Sequence, residues 1–131
     1  MTLINVTVTV DTEIVTQENL KTSVVLTDDH GDHNEKPGDS ETFTIEAAAS
    51  DKVHFIPVAK DGQTRVQFNN FKWENIEGTQ HCFDPLPFVN NDWTGTVVGE
   101  EGDHENFSIT FTVQGKGKFT LDPKLRVGTG G

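Results

Sequence analysis

Apolar and polar residues alternate strictly over the clearest stretch of the chain, Glu105 to Val127. Phe107, Ile109, Phe111 and Val113 share one parity, and Ser108, Thr110 and Thr112 share the other. After Gln114-Gly115-Lys116-Gly117 the alternation resumes, with Phe119, Leu121, Pro123, Leu125 and Val127 set against Lys118, Thr120, Asp122, Lys124 and Arg126. Period two over this length predicts a β-hairpin whose two strands are half-buried on a core. At the other end, Ile4, Val6, Val8 and Val10 alternate with Asn5, Thr7 and Thr9. Val and Thr suit a pleated surface, so a first strand is expected here.

Between the ends the pattern is broken into short pieces. Thr12 to Leu20 fits one or two helical turns capped by Asp11 or Thr12, or an irregular crossover, which its β-branched residues favour. Ser23 to Thr27 and Glu41 to Ala47 read as strands. Val53 to Lys60 is a strand in which Pro57 lacks a ladder donor, so it belongs at an edge or bulge. Asp61-Gly62 is a strong hairpin signal leading into Gln63 to Phe68. The large residues switch parity across Phe68-Asn69-Asn70-Phe71, which calls for a tight turn or a bulge. Ile76 to Asp92 is irregular, and Trp93 to Gly99 resumes as a strand. These elements predict one all-β domain over residues 1–131. The expected form is an antiparallel β-sandwich of seven or eight strands, immunoglobulin-like or jelly-roll-like.

Charge narrows the partners. The 131 residues carry 10 Lys+Arg against 21 Asp+Glu, a formal net charge of -11. Nucleic acid and anionic membranes both demand the opposite sign, so neither is expected as a partner. The single cysteine, Cys82, precludes an intrachain disulfide. The first residues lack the basic and apolar regions of a signal peptide, which points to a cytoplasmic protein or one released without a conventional signal.

Two segments hold candidate chemistry. Asp28 to Ser40 has no apolar residue, and Asp28, Asp29, Asp32 and Glu35 are hard oxygen donors of the kind that surround calcium. Their spacing departs from an EF-hand, and a solvated loop is the plainer reading. Near the irregular segment, Asp84, Asn91 and Asp92 are short planar hydrogen-bonders beside Trp93, the ingredients of a carbohydrate site. The plainer reading there is packing of the loop on the core. Glu100 to Glu105 reads as a solvated acidic turn. Cys82 directly follows His81, and neighbours on an extended chain point apart, so the two form no catalytic dyad.

Both ends of the chain resemble the AidA/PixA inclusion-body protein family. The carrying residues are Ile4 to Ile14, which run from a strand into Asp11-Thr12-Glu13, and the closing Gly117-Lys118-Phe119-Thr120-Leu121-Asp122-Pro123-Lys124-Leu125-Arg126-Val127. Asp51-Lys52-Val53-His54-Phe55 is similar to a central segment of the family, whereas Leu121 stands where the family usually has Trp. The resemblance implies a β-sandwich that self-assembles or forms inclusions, with no enzymatic chemistry and no catalytic residues to carry over.

The residues themselves favour a non-enzymatic binding module. The leading expectation is lectin-like recognition of a glycan, assisted by calcium. The alternative is a self-assembling inclusion-body or structural protein, with edge strands such as Val53 to Lys60 as contacts. Both readings fit a homo-oligomer.

Overall fold

The computed structural model describes residues 2–28, 38–39, 44–74, 77–84, 87 and 93–128. Its strands, in chain order, are β1 (Leu3–Val10), β2 (Val24–Asp28), β3 (Gly38–Asp39), β4 (Thr44–Ala47), β5 (Lys52–Ala59), β6 (Val66–Glu74), β7 (Thr94–Thr96), β8 (His104–Val113), β9 (Gly117–Leu121) and β10 (Lys124–Val127). One sheet has the order β3-β2-β1-β5-β7. The other has the order β4-β10-β8-β6, with β9 also paired to β8. The fold is all-β, as expected, but the described strands exceed seven or eight.

The expectation of a purely antiparallel arrangement is corrected. β1 runs parallel to β5 from Leu3↔Lys52 to Val10↔Ala59, and β4 runs parallel to β10. Both pairings join strands far apart in the chain, and alternation within a strand carries no information about the direction of its neighbour.

The alternation buries what it should. Ile4, Val6, Val8 and Val10 are wholly buried, as are Phe107, Ile109, Phe111 and Val113. The two inner faces share one apolar core. Phe55 of the first sheet meets Phe71 and Phe107 of the second, with ring centroids 6.1 and 5.8 Å apart. Phe71 stacks on Phe107 at 4.7 Å, and Phe83 closes the cluster edge-on at 5.9 Å from Phe107.

The closing hairpin forms as the pattern predicts. β9 and β10 are two lengths of one arm. Ile109 faces Leu121 and Asn106 faces Lys124, so register is kept across Asp122-Pro123. Pro123 interrupts the ladder because it has no N–H, yet its carbonyl still accepts from the Phe107 N–H at 3.3 Å.

Asp61-Gly62 does make a turn, with the Gly62 N–H donating to the Ala59 carbonyl at 3.0 Å and Gly62 at φ 72. It does not make a hairpin. It carries the chain from β5 in the first sheet to β6 in the second. The parity switch at Phe68 to Phe71 is a bulge within β6, where the register shifts between Phe68 and Asn70. Thr12 to Ser23 combines both readings: a turn at Thr12 to Ile14, a 3-10 turn at Gln17–Asn19 and one helical turn, α1, at Leu20–Ser23. Its cap is Thr16 rather than Asp11 or Thr12, in a reciprocal capping box with Asn19.

Val53 to Lys60 is not a simple edge strand. β5 pairs with β1 along its whole length and with β7 at Lys52 to His54. The amides of Lys52 and Lys60 point toward β1, whereas that of Phe55 points the other way, to the Trp93 carbonyl. Pro57 therefore sits on the half-edge beyond the reach of β7, where no donor is required.

Candidate functional site

β8 begins with an anomaly. Glu105 has the same parity as Phe107 and Ile109, which places a carboxylate at a core position, and it is wholly buried. Its Oε1 accepts from His81 Nδ1 at 2.7 Å and from the Cys82 backbone N–H at 2.8 Å. When Glu105 is ionised its oxygen can only accept, and in that state His81 carries a proton on Nδ1. The indole of Trp73 lies against the His81 ring, with centroids 4.8 Å apart. Glu105 Oε2 and Trp73 Nε1 are buried without hydrogen-bond partners among the described residues. Burial pushes the Glu105 carboxyl above its ordinary value, and the bonds from Cys82 and His81 pull against that shift.

The cluster ties Thr79 to Asp84 to the start of β8. The Gln80 N–H donates to the His104 carbonyl at 2.7 Å, and the His104 N–H returns to Gln80 Oε1 at 3.0 Å. Chemically it is a poor nucleophile site. The Cys82 thiol is buried and pushed up to about 11, first by burial and then by the charges of Glu105 and Asp103. A reactive thiol needs the opposite environment.

A second carboxylate acts as a structural hub. Asp51 is buried, and its two oxygens accept from the Thr2 and Ala48 N–H groups, each at 2.9 Å. Its carbonyl accepts from the Val97 N–H at 2.8 Å. Asp51 thus fastens the start of β1, the turn before β5 and the strand region after β7.

The sequence-predicted sites are only partly within view. Of the calcium set, Asp28 ends β2 with its side chain buried on the inward parity of Val24 and Leu26, opposite Val6. Asp29, Asp32 and Glu35 lie outside the described residues. Among the described residues, no group of three or more His, Cys, Asp or Glu could hold a metal ion. Of the glycan set, Asp84 is exposed and its N–H donates to the Thr96 carbonyl at 2.8 Å. Trp93 lies at the other end of β7, where its indole packs on Phe68 with centroids 4.9 Å apart, at the margin of the core. Asn91 and Asp92 lie outside the described residues.

The second acidic loop is a turn at Glu100 to Asp103, held by Asp103 Oδ2 accepting from the Glu100 N–H at 2.9 Å. Glu105 does not belong to it. Its place in the odd-numbered series with Phe107 was the available signal, masked by its charge.

The fold has a solved counterpart. The structure is similar to the crystal structure of the inclusion body protein PixA from Burkholderia cenocepacia J2315, with a TM-score of 0.60 over 96% of this chain and 94% of that one. The two are 11% identical, so the likeness is one of fold. It takes in the middle of the chain as well as the two ends that carry the sequence resemblance. No curated protein matches the sequence. A family model described as a domain of unknown function (DUF8788) matches residues 2–119, and the chain belongs to that family.

Proposed function

We propose that this chain is a β-sandwich protein that associates with copies of itself inside the cell, as an inclusion-forming or structural protein rather than an enzyme. The observation that carries the reading is the likeness of fold, along nearly the whole chain, to a protein described as an inclusion body protein. The buried Cys82 thiol, held well above a reactive range, speaks against thiol-based catalysis. Sedimentation velocity and light scattering across a wide range of protein concentration test it. Reversible association that grows with concentration is expected. A monomer at every concentration, with diffuse distribution of the protein in the cells that make it, would overturn the reading.

A further inference from the structure

The outer face of the first sheet differs from the rest of this acidic protein. Register sets two rows across its central strands: Thr27-Thr7-Ile56 and Val25-Thr9-Val58. Val25 and Val58 are 39% and 37% exposed, large for apolar side chains in a strand. No carboxylate of β1, β2, β5 or β7 faces outward. Asp28 is the only acidic residue in these strands, and it is buried on the inward side. Cations occupy the rim, at Lys52 and at Lys60, whose Nζ lies 3.4 Å from Asp11 Oδ2. β3 borders the face at Asp39, the pairing partner of Val25.

We infer that this face is where two copies of the chain meet, sheet against sheet. The inference rests on the self-association proposed above and names its surface. Charge selects the occupant. Two copies, each with a net charge of -11, repel one another through their excess of Asp and Glu. The β-branched face brings no carboxylate from these strands against another. Size is consistent with a second copy. The residues of β1, β2, β5 and β7, at about 4.8 Å between strands and about 3.3 Å along them, give roughly 380 Å² per copy, about 760 Å² in a pair, the size of a weak and transient contact. Such a contact is weak and forms as concentration rises.

Edge pairing is the competing route, and the edges are blunted against it. The edge strands β3, β7 and β4 are two, three and four residues long. Pro57 stands on the half-open side of β5, and β6 is bulged at Asn69. The side chain of Gln17 pairs with β9 as a strand would. Its Nε2 donates to the Thr120 carbonyl at 2.9 Å, and its Oε1 accepts from the Thr120 N–H at 3.0 Å.

The test is the double variant Val25→Glu/Val58→Glu in the full chain, with Lys118→Gln/Lys124→Gln on the second sheet as a control that changes the net charge equally. Circular dichroism and thermal melting establish that each remains folded. Sedimentation should show the dissociation constant of Val25→Glu/Val58→Glu raised at least 30-fold, and that of the control within threefold of the parent. If the parent associates and Val25→Glu/Val58→Glu associates equally well, the face is wrong and self-association stands. If association is lost only in the control, the contact lies on the second sheet and the inference falls. If the parent is a monomer throughout, the inference falls together with the proposed function.

Discussion

Replacing Glu105 by Gln should change how the stability of the protein depends on pH more than it changes stability itself. The carboxylate accepts two bonds through one oxygen, from His81 Nδ1 at 2.7 Å and the Cys82 N–H at 2.8 Å. Bonds to an ionised group contribute about 1.5–3 kcal/mol each, whereas removing the charge from water costs several kcal/mol. Burial outweighs the bonds, because the carboxyl is held above its ordinary 4.5. The folded protein therefore holds this proton more tightly than the unfolded chain. Stability from this group is present in full below about pH 4.5 and falls as pH rises through the folded value. The slope can reach about 1.4 kcal/mol per pH unit. Gln keeps an acceptor oxygen for the Cys82 N–H and His81 and cannot titrate. Urea unfolding of both proteins from pH 4 to 8, followed by Trp fluorescence, should show Glu105→Gln gaining on the parent as pH rises. Glu105→Ala should be destabilised at every pH by about 1–3 kcal/mol for the stranded Cys82 N–H alone, more with the cavity. Parallel pH curves for the Gln variant and the parent would refute the reasoning.

Asp51→Ala takes the acceptor from two part-buried N–H groups, so chemical denaturation should register a loss of about 1–3 kcal/mol. Asp51→Asn should fare little better, since one amide oxygen cannot serve both donors; full retention of stability in Asp51→Asn would contradict the hub. Asp61 should titrate at about 2 by NMR, because the hydroxyl and N–H of Thr64, then the N–H of Gln63, bind its ionised form. With its pKa depressed in the fold, its contribution is present above pH 3.8 and disappears as pH falls through 2. Gly95→Ala puts a methyl group 2.8 Å from ring carbons of Pro87 and 2.9 Å from Phe83, an overpacking that should cost about 1–3 kcal/mol by thermal melting.

The parts of this fold that were legible in sequence are those where neighbours in sequence are neighbours in space. β1, β8 and the arm β9-β10 show their inward residues through period two, and even the parity switch at Asn69-Asn70 marked a real bulge. The parallel pairings left no trace, because Val6 facing Phe55 is a fact about two strands and appears in neither. Asp61-Gly62 misled because turn chemistry specifies a reversal, not the sheet that receives the returning strand. Glu105 carries the charge of a loop residue at a position whose parity belongs to the core. The row Val25-Thr9-Val58 could not be read at all until register placed its three members side by side. In the candidate glycan and calcium sites, Trp93 packs on Phe68 and Asp28 is buried, while Asp29, Asp32, Glu35, Asn91 and Asp92 lie outside the described residues.

The parallel ladders also govern the time course of folding. β1 lies at the centre of its sheet, and its partner on one side is β5, with Asn5 and His54 separated by 49 positions. β4 pairs, among the described residues, with β10 alone, so it is not fixed until Lys124 to Val127 dock beside it. Loop closure of this length must precede its reward in contacts, which slows folding into the millisecond-to-second range typical of nonlocal β topologies. In that interval β1 offers its unpaired central edge, with Ile4, Val6, Val8 and Val10 uncovered. A young chain is therefore at its most adhesive before it is finished, and the rate of synthesis should influence how much of it reaches the native sheets.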